Sequence, residues 1–283
     1  MFADLHLHTN FSDGTYTPEE LAEHAARYRF KAVALTDHDT VEGCARMAAA
    51  CKARGIEFVP GSELTVEHEG HELHVLAYFI DAEHPRLLSE MAHFQKVRQE
   101  RIVEIVARLN EIGIPLKSES VFAIAKCNSP GRPHVGRALV QAKICSSVDE
   151  AFERFLKRNR PGWVPKFRMS AEHAIELIHE AGGLAVLAHP ALNRADDLIE
   201  PLAELGLDGI ECYHTKHGTG HIETYSLLAE RLKLLVTGGS DCHGMNKGRP
   251  LIGSIKVPYQ HVERLRTAAE TLRGRLSTSR APQ

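Results

Sequence analysis

The segment Asp4-Leu5-His6-Leu7-His8 sets two imidazoles and a carboxylate at alternate positions. Alternation of period two reads as a strand, with Leu5 and Leu7 on one face and Asp4, His6 and His8 on the other. Neutral imidazole and carboxylate are good ligands for borderline and hard divalent cations, so the second face suits metal binding. A strand with a solvated polar face explains these five residues equally well. The wider pattern separates the two readings. Asp241 and His243 repeat the i, i+2 spacing, and His38, Glu63 and His189 each follow an apolar run. His74 lies on a segment that reads as a hairpin, and Asp13 lies in the first polar loop.

The elements that must position these residues alternate in type. Thr17, Pro18 and Glu20 form an N-cap, a first helical position and a capping box, opening a helix with Leu21, Ala25 and Tyr28 on its apolar side. Residues 31–35 read as a strand ending at Thr36-Asp37-His38-Asp39, 41–54 as a helix, and 56–59 as a strand ending at Pro60-Gly61-Ser62-Glu63. Residues 64–80 read as a hairpin turning on Glu69-Gly70. A long helix over 86–112 follows, and 113–166 fits no strand–helix unit. The alternation resumes where Ser170 caps a helix ending at Gly182-Gly183. Strands are expected over 184–188, 209–213 and 234–237, helices over 196–205, 222–231 and 260–273, and a frayed tail from Ser277. This is an α/β pattern. In a (β/α) barrel the C-terminal strand ends converge on one rim, so ligands scattered along the chain would meet in one cluster. The expected organisation is a barrel in two parts, 1–96 and 167–283, with a mainly helical cap, 97–166, inserted between them.

Composition narrows the function. The chain has 283 residues, is 43% hydrophobic and carries a formal net charge of -3. A chain of this charge does not grip a long nucleic-acid duplex through a broad basic surface. Six cysteines without a CxxC pair read as the reduced cysteines of a cytoplasmic protein, not as a disulfide framework or zinc ribbon. With Met1 leading straight into the first expected strand, no signal peptide is expected, and no apolar run is long enough for a membrane span. The nine candidate ligands His6, His8, Asp13, His38, Glu63, His74, His189, Asp241 and His243 are too many for one ion. Two or three ions fit better, with a carboxylate such as Glu63 bridging two. Mixed His/carboxylate ligation without cysteine suits catalytic Mn²⁺, the leading expectation, or Fe²⁺ or Zn²⁺.

Five ordered motifs carry a resemblance: Asp4-Leu-His-Leu-His8, Thr36-Asp-His-Asp39, Gly61-Ser-Glu63, Ala188-His-Pro190 and Gly239-Ser-Asp-Cys-His243. Together they resemble the PHP (polymerase and histidinol phosphatase) family. The insertion with Asn128-Ser-Pro-Gly-Arg-Pro-His134 is similar to the branch of 3′,5′-nucleoside bisphosphate phosphatases and a related 5′-3′ exoribonuclease. The resemblance implies a distorted, TIM-like (β/α)₇ barrel with a trinuclear centre. It assigns His6, His8, Glu63 and Asp241 to a first metal, Glu63, His74 and His189 to a second, and Asp13, His38 and His243 to a third. Asp13 stands where some members carry histidine.

Such a cluster activates water and neutralises charge developing on a phosphoryl group, so in-line hydrolysis of a phosphate monoester is the expected reaction. Cations must hold the substrate where metals do not reach. Arg98 and Arg101 share a helix face at i, i+3, Arg132 and His134 lie in the cap loop, and Lys166 follows Trp163-Val164-Pro165. Asp13, His38 and His243 are expected to touch substrate as well. Phosphate binders at two places suit a nucleoside 3′,5′-bisphosphate, and the same site suits 5′-3′ trimming of short RNA. Histidinol phosphate or another small phosphate ester is the nearest rival substrate. A non-catalytic metal-binding module and a metal-dependent amidohydrolase are rivals of other classes. Asp4 is read as a carboxylate steering the histidines. Asp37 and Asp39 either orient neighbouring ligands or lie exposed, and His217 and His221 either line the pocket or are solvated. His6→Ala is expected to lower bound metal and phosphate release together, measured by metal analysis and a phosphate assay on one preparation; loss of activity at full metal content would contradict the ligand reading.

Overall fold

The computed structural model describes residues 1–165, 169–194 and 196–279. In chain order the elements are β1 (Phe2–Asp4), α1 (Pro18–Arg27), β2 (Ala32–Leu35), α2 (Cys44–Lys52), β3 (Glu57–His68), β4 (His71–Tyr78) and α3 (Pro85–Glu111). The cap supplies α4 (Ser118–Ala125), α5 (Arg132–Gln141) and α6 (Val148–Ala151), which runs into a π-helical turn over Phe152–Leu156. Then come β5 (Met169–Ser170), α7 (Ala171–Glu180), β6 (Leu184–Leu187), α8 (Pro190–Asn193), α9 (Ile199–Glu204), β7 (Gly209–His214), α10 (Thr219–Leu232), β8 (Leu235–Gly239), β9 (Val257–Pro258) and α11 (Gln260–Ser279). Lys166 and the end of the tail, 280–283, lie outside the described residues. Among the described residues no helix is long and apolar enough to cross a membrane.

The sheet runs β8-β7-β6-β4-β3-β2-β1-β9, with β5 beside β3. Its ends meet. Leu5 N donates to Gly238 O at 3.1 Å and His8 N to Cys242 O at 3.0 Å, which joins β1 to the β8 side and nearly closes a barrel. The barrel is distorted because β4 runs antiparallel to both β3 and β6. The hairpin replaces a crossover helix at that point.

Alternating side chains explain the packing. Along β2, Ala32 and Ala34 join the cluster of Ala3, Leu5, Val59, Leu76 and Tyr78. Val33 and Leu35 face the other way, against Leu21 and Ala25 of α1 and Met47 and Cys51 of α2. Val262, Leu265 and Ala269 of α11 belong to the first cluster. Tyr78 is wholly buried there and donates its hydroxyl to Leu5 O at 2.8 Å. The cap has a separate cluster, in which Ile105 and Leu109 of α3 meet Val121, Val135, Leu139 and Leu156. Leu87, Met91 and Phe94, at the start of α3, pack in a barrel cluster instead, so α3 ties the two together.

Three local expectations are corrected. Leu5 and Leu7 do not share a face: Leu5 joins the cluster with Ala3, and Leu7 packs with α1 and α2. Regular pairing with β2 stops at Asp4, after which the backbone bonds alternately to β8 and to the β2 end, where Thr36 N donates to Leu7 O. Glu63 does not end a strand, because β3 continues to His68. Past Pro60 its partner changes from β2 to β4, so a sequence pattern with one sidedness changes in mid-strand. The two-residue strands β5 and β9 are too short to leave a periodic signal.

The barrel seam is tight at Gly239, where an added Cβ would overlap the backbone N and Cβ of His6. Gly239→Ala is expected to destabilise the fold by about 1–3 kcal/mol through overpacking, seen as a lower urea midpoint; an unchanged midpoint would mean that the seam can open at no cost.

Candidate metal centre

Nine side chains from widely separated elements converge at the closed end of the seam, and they fall into four overlapping groups. His8, Asp13, His38 and His243 form one; His6, His8 and Asp241 a second; His6, Glu63 and His189 a third; His38, Glu63 and His74 a fourth. Glu63 is the hub. Its Oε2 lies 3.4 Å from His6 Nε2, 3.3 Å from His8 Nε2 and 3.1 Å from His38 Nδ1. Its Oε1 lies 2.8 Å from His74 Nδ1 and 3.1 Å from His189 Nε2. Asp241 Oδ1 stands 3.5 Å from His6 Nε2 and 3.3 Å from His8 Nε2. Asp13 Oδ1 stands 3.1 Å from His243 Nε2 and 4.0 Å from His38 Nε2.

The donor set fits divalent cations. His6 Nε2, His8 Nε2, His38 Nδ1 and Asp13 Oδ1 are buried without a hydrogen-bond partner. Unpaired buried polar atoms are costly, and a cation among them would satisfy all of them together. The local field has the same sign. Burial opposes charge on Glu63, yet the His38, His74 and His6 imidazoles hold its carboxyl well below the usual range. Burial also opposes charge on His6, but Glu211, Glu63 and Asp241 raise its proton affinity well above that of a free imidazole. Positive charge is therefore favoured at the centre of the cluster.

Residues behind the cluster aim it. Glu211 Oε1 lies 3.0 Å from His6 Nδ1, which directs His6 Nε2 into the centre, and Oε2 accepts the His189 backbone N–H at 2.8 Å. His214 Nδ1 accepts from Lys216 N at 3.2 Å, so its Nε2, 3.6 Å from Asp241 Oδ2, carries the proton. Neither residue stood out in the sequence, although a glutamate between Ile210 and Cys212 on a buried strand is a signal. Asp4 does not steer an imidazole. Its Oδ1 accepts from Ser240 N at 2.8 Å and His6 N at 3.4 Å, and burial pushes its carboxyl up to about 7. Asp37 and Asp39 are buried and hold backbone: Asp37 binds Thr9 N at 2.7 Å, Asp39 binds Thr65 N at 2.9 Å. Asp39, His189 and Asp241 all have left-handed backbone, with φ of 48°, 29° and 53°. Such strain persists only where surrounding contacts hold it, and here it turns strand ends into the cluster.

The family model for the PHP domain matches residues 4–163. The chain belongs to the PHP family. It is 34% identical over 258 residues to a 3′,5′-nucleoside bisphosphate phosphatase of Chromobacterium violaceum, covering 88% of this chain and 90% of that protein. It is 33% identical over 247 residues to the 5′-3′ exoribonuclease Rnm of Escherichia coli, covering 85% and 84%. A solved structure from Bifidobacterium adolescentis, assigned as a metal-dependent phosphoesterase, superposes with a TM-score of 0.86 at 32% identity, covering 93% and 94%. By this membership and these relatives the PHP chain is a hydrolase of phosphoesters.

The cap arginines are placed unequally around the PHP centre. Arg98 binds Asp39 Oδ2 at 2.8 Å through Nε and 2.5 Å through Nη2, and its Nη1 reaches Pro130 O at 3.4 Å. Ser129 in the same turn donates to His38 O at 2.6 Å, so this turn abuts the cluster. Arg132 is half-buried beside Arg98, with Nη1 on Leu156 O at 3.2 Å. Arg101 is buried and donates to Val164 O from Nε at 3.0 Å and Nη2 at 2.7 Å, fastening α3 to the cap. His134 is buried too. Its Nδ1 accepts from Gly131 N at 3.0 Å, and burial lowers its pKa to about 4, so it caps α5 as a neutral ring. His217 is buried with Nδ1 2.9 Å from Cys212 O, and His221 is exposed; neither enters a ligand group. Arg137, which no sequence motif marks, donates to Asp13 O at 2.8 Å. It lines a cavity of about 550 Å³ between Asp13, His243 and the cap.

Glu211→Gln keeps the shape of the side chain and removes its charge. Metal affinity is expected to fall about ten- to hundredfold, measured by titration of the metal-free protein with Mn²⁺; unchanged affinity would show that His6 is held by packing alone.

Proposed function

We propose that the chain releases the 3′-phosphate of nucleoside 3′,5′-bisphosphates with the help of two or three divalent cations, Mn²⁺ foremost. His6, His8, Glu63 and Asp241 would hold one cation, Glu63, His74 and His189 a second, and Asp13, His38 and His243 a third. Bound there, the cations would activate water and neutralise charge on the reacting phosphoryl group. The chain's own contribution is to orient these ligands through Glu211 and His214 and to cover the site with the cap.

The observation that carries the reading is the gathering of Arg98 and Arg132 at the Pro130 turn, one backbone contact away from His38. Guanidinium groups at that distance from the ligand cluster suit a second phosphate on the same substrate. Histidinol phosphate has a single phosphate and would bring no second phosphate to this pair. The 33% identity to an exoribonuclease supports a second use of the site, 5′-3′ trimming of short RNA, because a 5′-phosphorylated dinucleotide presents similar groups. Six unpaired cysteines suit a reducing cytoplasm.

Phosphate release by the Mn²⁺-loaded protein is expected to be fastest with 3′,5′-bisphosphoadenosine among nucleoside monophosphates, bisphosphates and histidinol phosphate. Arg132→Ala is expected to cut it at least tenfold with metal content unchanged, since hydrogen bonds to charged groups contribute about 1.5–3 kcal/mol. Equal turnover by that variant would sink the two-phosphate reading, and no phosphoester turnover at all would favour a metal-binding module.

A further inference from the structure

Asp13 is held differently from its companions in one ligand group. His8, His38 and His243 follow strands β1, β2 and β8, whereas Asp13 lies in the polar loop that leads to α1. Side chains fix that loop from three sides. On the barrel side the buried Asp37 carboxylate accepts from Thr9 N at 2.7 Å, Thr9 Oγ1 at 2.5 Å and Ser12 Oγ at 2.5 Å. On the cap side Cys127 Sγ donates to Ser12 O at 3.2 Å, and Arg137 Nη2 of α5 donates to Asp13 O at 2.8 Å. From the turn after His243, Asn246 Nδ2 donates to the same carbonyl at 2.7 Å. Asp13 O thus takes one donor from the cap and one from the segment that carries His243, and two donors use both lone pairs of a carbonyl.

We propose that Arg137 is a positioning residue for the third cation: its bond to Asp13 O completes the site of Asp13, His38 and His243 only when α5 of the cap is docked. The inference rests on the ligand assignment above and adds that one of the ions depends on the cap. Among the described residues the cap supplies no member of the ligand groups, yet it pins a backbone that carries one. Ser129 of the cap donates to His38 O at 2.6 Å, a second cap contact on the backbone of the same ligand set. Aspartate has one methylene between backbone and carboxylate, so its reach cannot make up for a shift of the loop. The place of Asp13 O therefore decides whether Oδ1 stays 3.1 Å from His243 Nε2 and 4.0 Å from His38 Nε2. Charge and position predict opposite signs. By Coulomb repulsion alone, removing the positive Arg137 would tighten a nearby cation. With Arg137 as a positioning residue, its removal loosens that cation.

The test is a titration of the metal-free full chain with Mn²⁺, with free Mn²⁺ read by electron paramagnetic resonance. The wild type is expected to bind three ions. Arg137→Met is expected to weaken one of them about ten- to hundredfold and to leave the other two in place. Arg137→Lys, which keeps a cationic donor, is expected to recover most of that affinity. Asn246→Ala changes no charge and leaves the cap's own contacts intact, so it tests the clamp on Asp13 O even where Arg137→Met does not fold; it is expected to weaken the same ion. Asp13→Asn marks the site. Adding Arg137→Met to it is expected to cost no further affinity, because the two residues act on one ion. Tighter or unchanged binding in Arg137→Met, equal weakening of all ions, three unchanged ions in Asn246→Ala, or a further loss in the double variant overturns the inference. A wild type that binds only two ions overturns the assignment of a third, and the inference with it, while hydrolysis supported by two ions keeps its own test in phosphate release.

Discussion

One buried carboxylate organises this protein. Glu63 is about 1% exposed, and five imidazoles, those of His6, His8, His38, His74 and His189, stand within 3.4 Å of its two oxygens. A charged carboxylate is costly to bury unless cationic partners surround it. Here the partners come from the start of the chain, from the end of β2, from the hairpin and from the end of β6. Gly61 makes the position possible. A Cβ there would overlap Ala77 O and come within 2.9 Å of Leu35 O, so only glycine lets β3 pass from one neighbour to the other. Two residues later Glu63 faces the barrel mouth.

The same constraint shapes the barrel rim. Strand ends that carry the cluster are pinned by buried acids outside its four groups: Asp4 on the Ser240 and His6 amides, Asp37 on Thr9, Asp39 on Thr65 and Arg98, Glu211 on His6 and His189. Each buried acid satisfies backbone N–H groups that the irregular rim leaves without sheet partners. The left-handed backbone at Asp39, His189 and Asp241 is affordable for that reason. The cap then attaches through α3, whose Arg98 and Arg101 bond to Asp39 and Val164 O instead of pairing with Glu100 or Glu104 along the helix. Those two acids pair with Lys96 and Arg108.

Much of this was readable from residue order. The capping box of α1 forms as its residues foretell, with Glu20 Oε2 accepting from Thr17 N at 2.8 Å. The turn on Glu69-Gly70 joins β3 to β4, and α3 spans Pro85–Glu111 against an expected 86–112. These are local features, decided by capping, turn chemistry and periodicity, so a single chain segment contains all the information. Recurrence of His, Asp and Glu after apolar runs likewise pointed to one cluster, because parallel barrel strands share one polarity.

What the chain by itself determined is therefore the βα rhythm, the interrupted segment that becomes the cap, and the identity of the converging ligand candidates. Tertiary structure alone decided the rest. Glu211 and His214 matter because β7 lies between β6 and β8, which brings Glu211 to His6 and His214 to Asp241 across more than half the chain or a whole strand. Arg101 and His134 have the residue types of phosphate binders and bond within the chain, to Val164 O and Gly131 N, whereas Arg137, which no motif marks, lines the cavity. The physical reason is that an arginine or histidine has the same intrinsic chemistry wherever it sits. Whether it meets a carbonyl of its own chain or a ligand is set by packing over tens of residues, which no local pattern encodes.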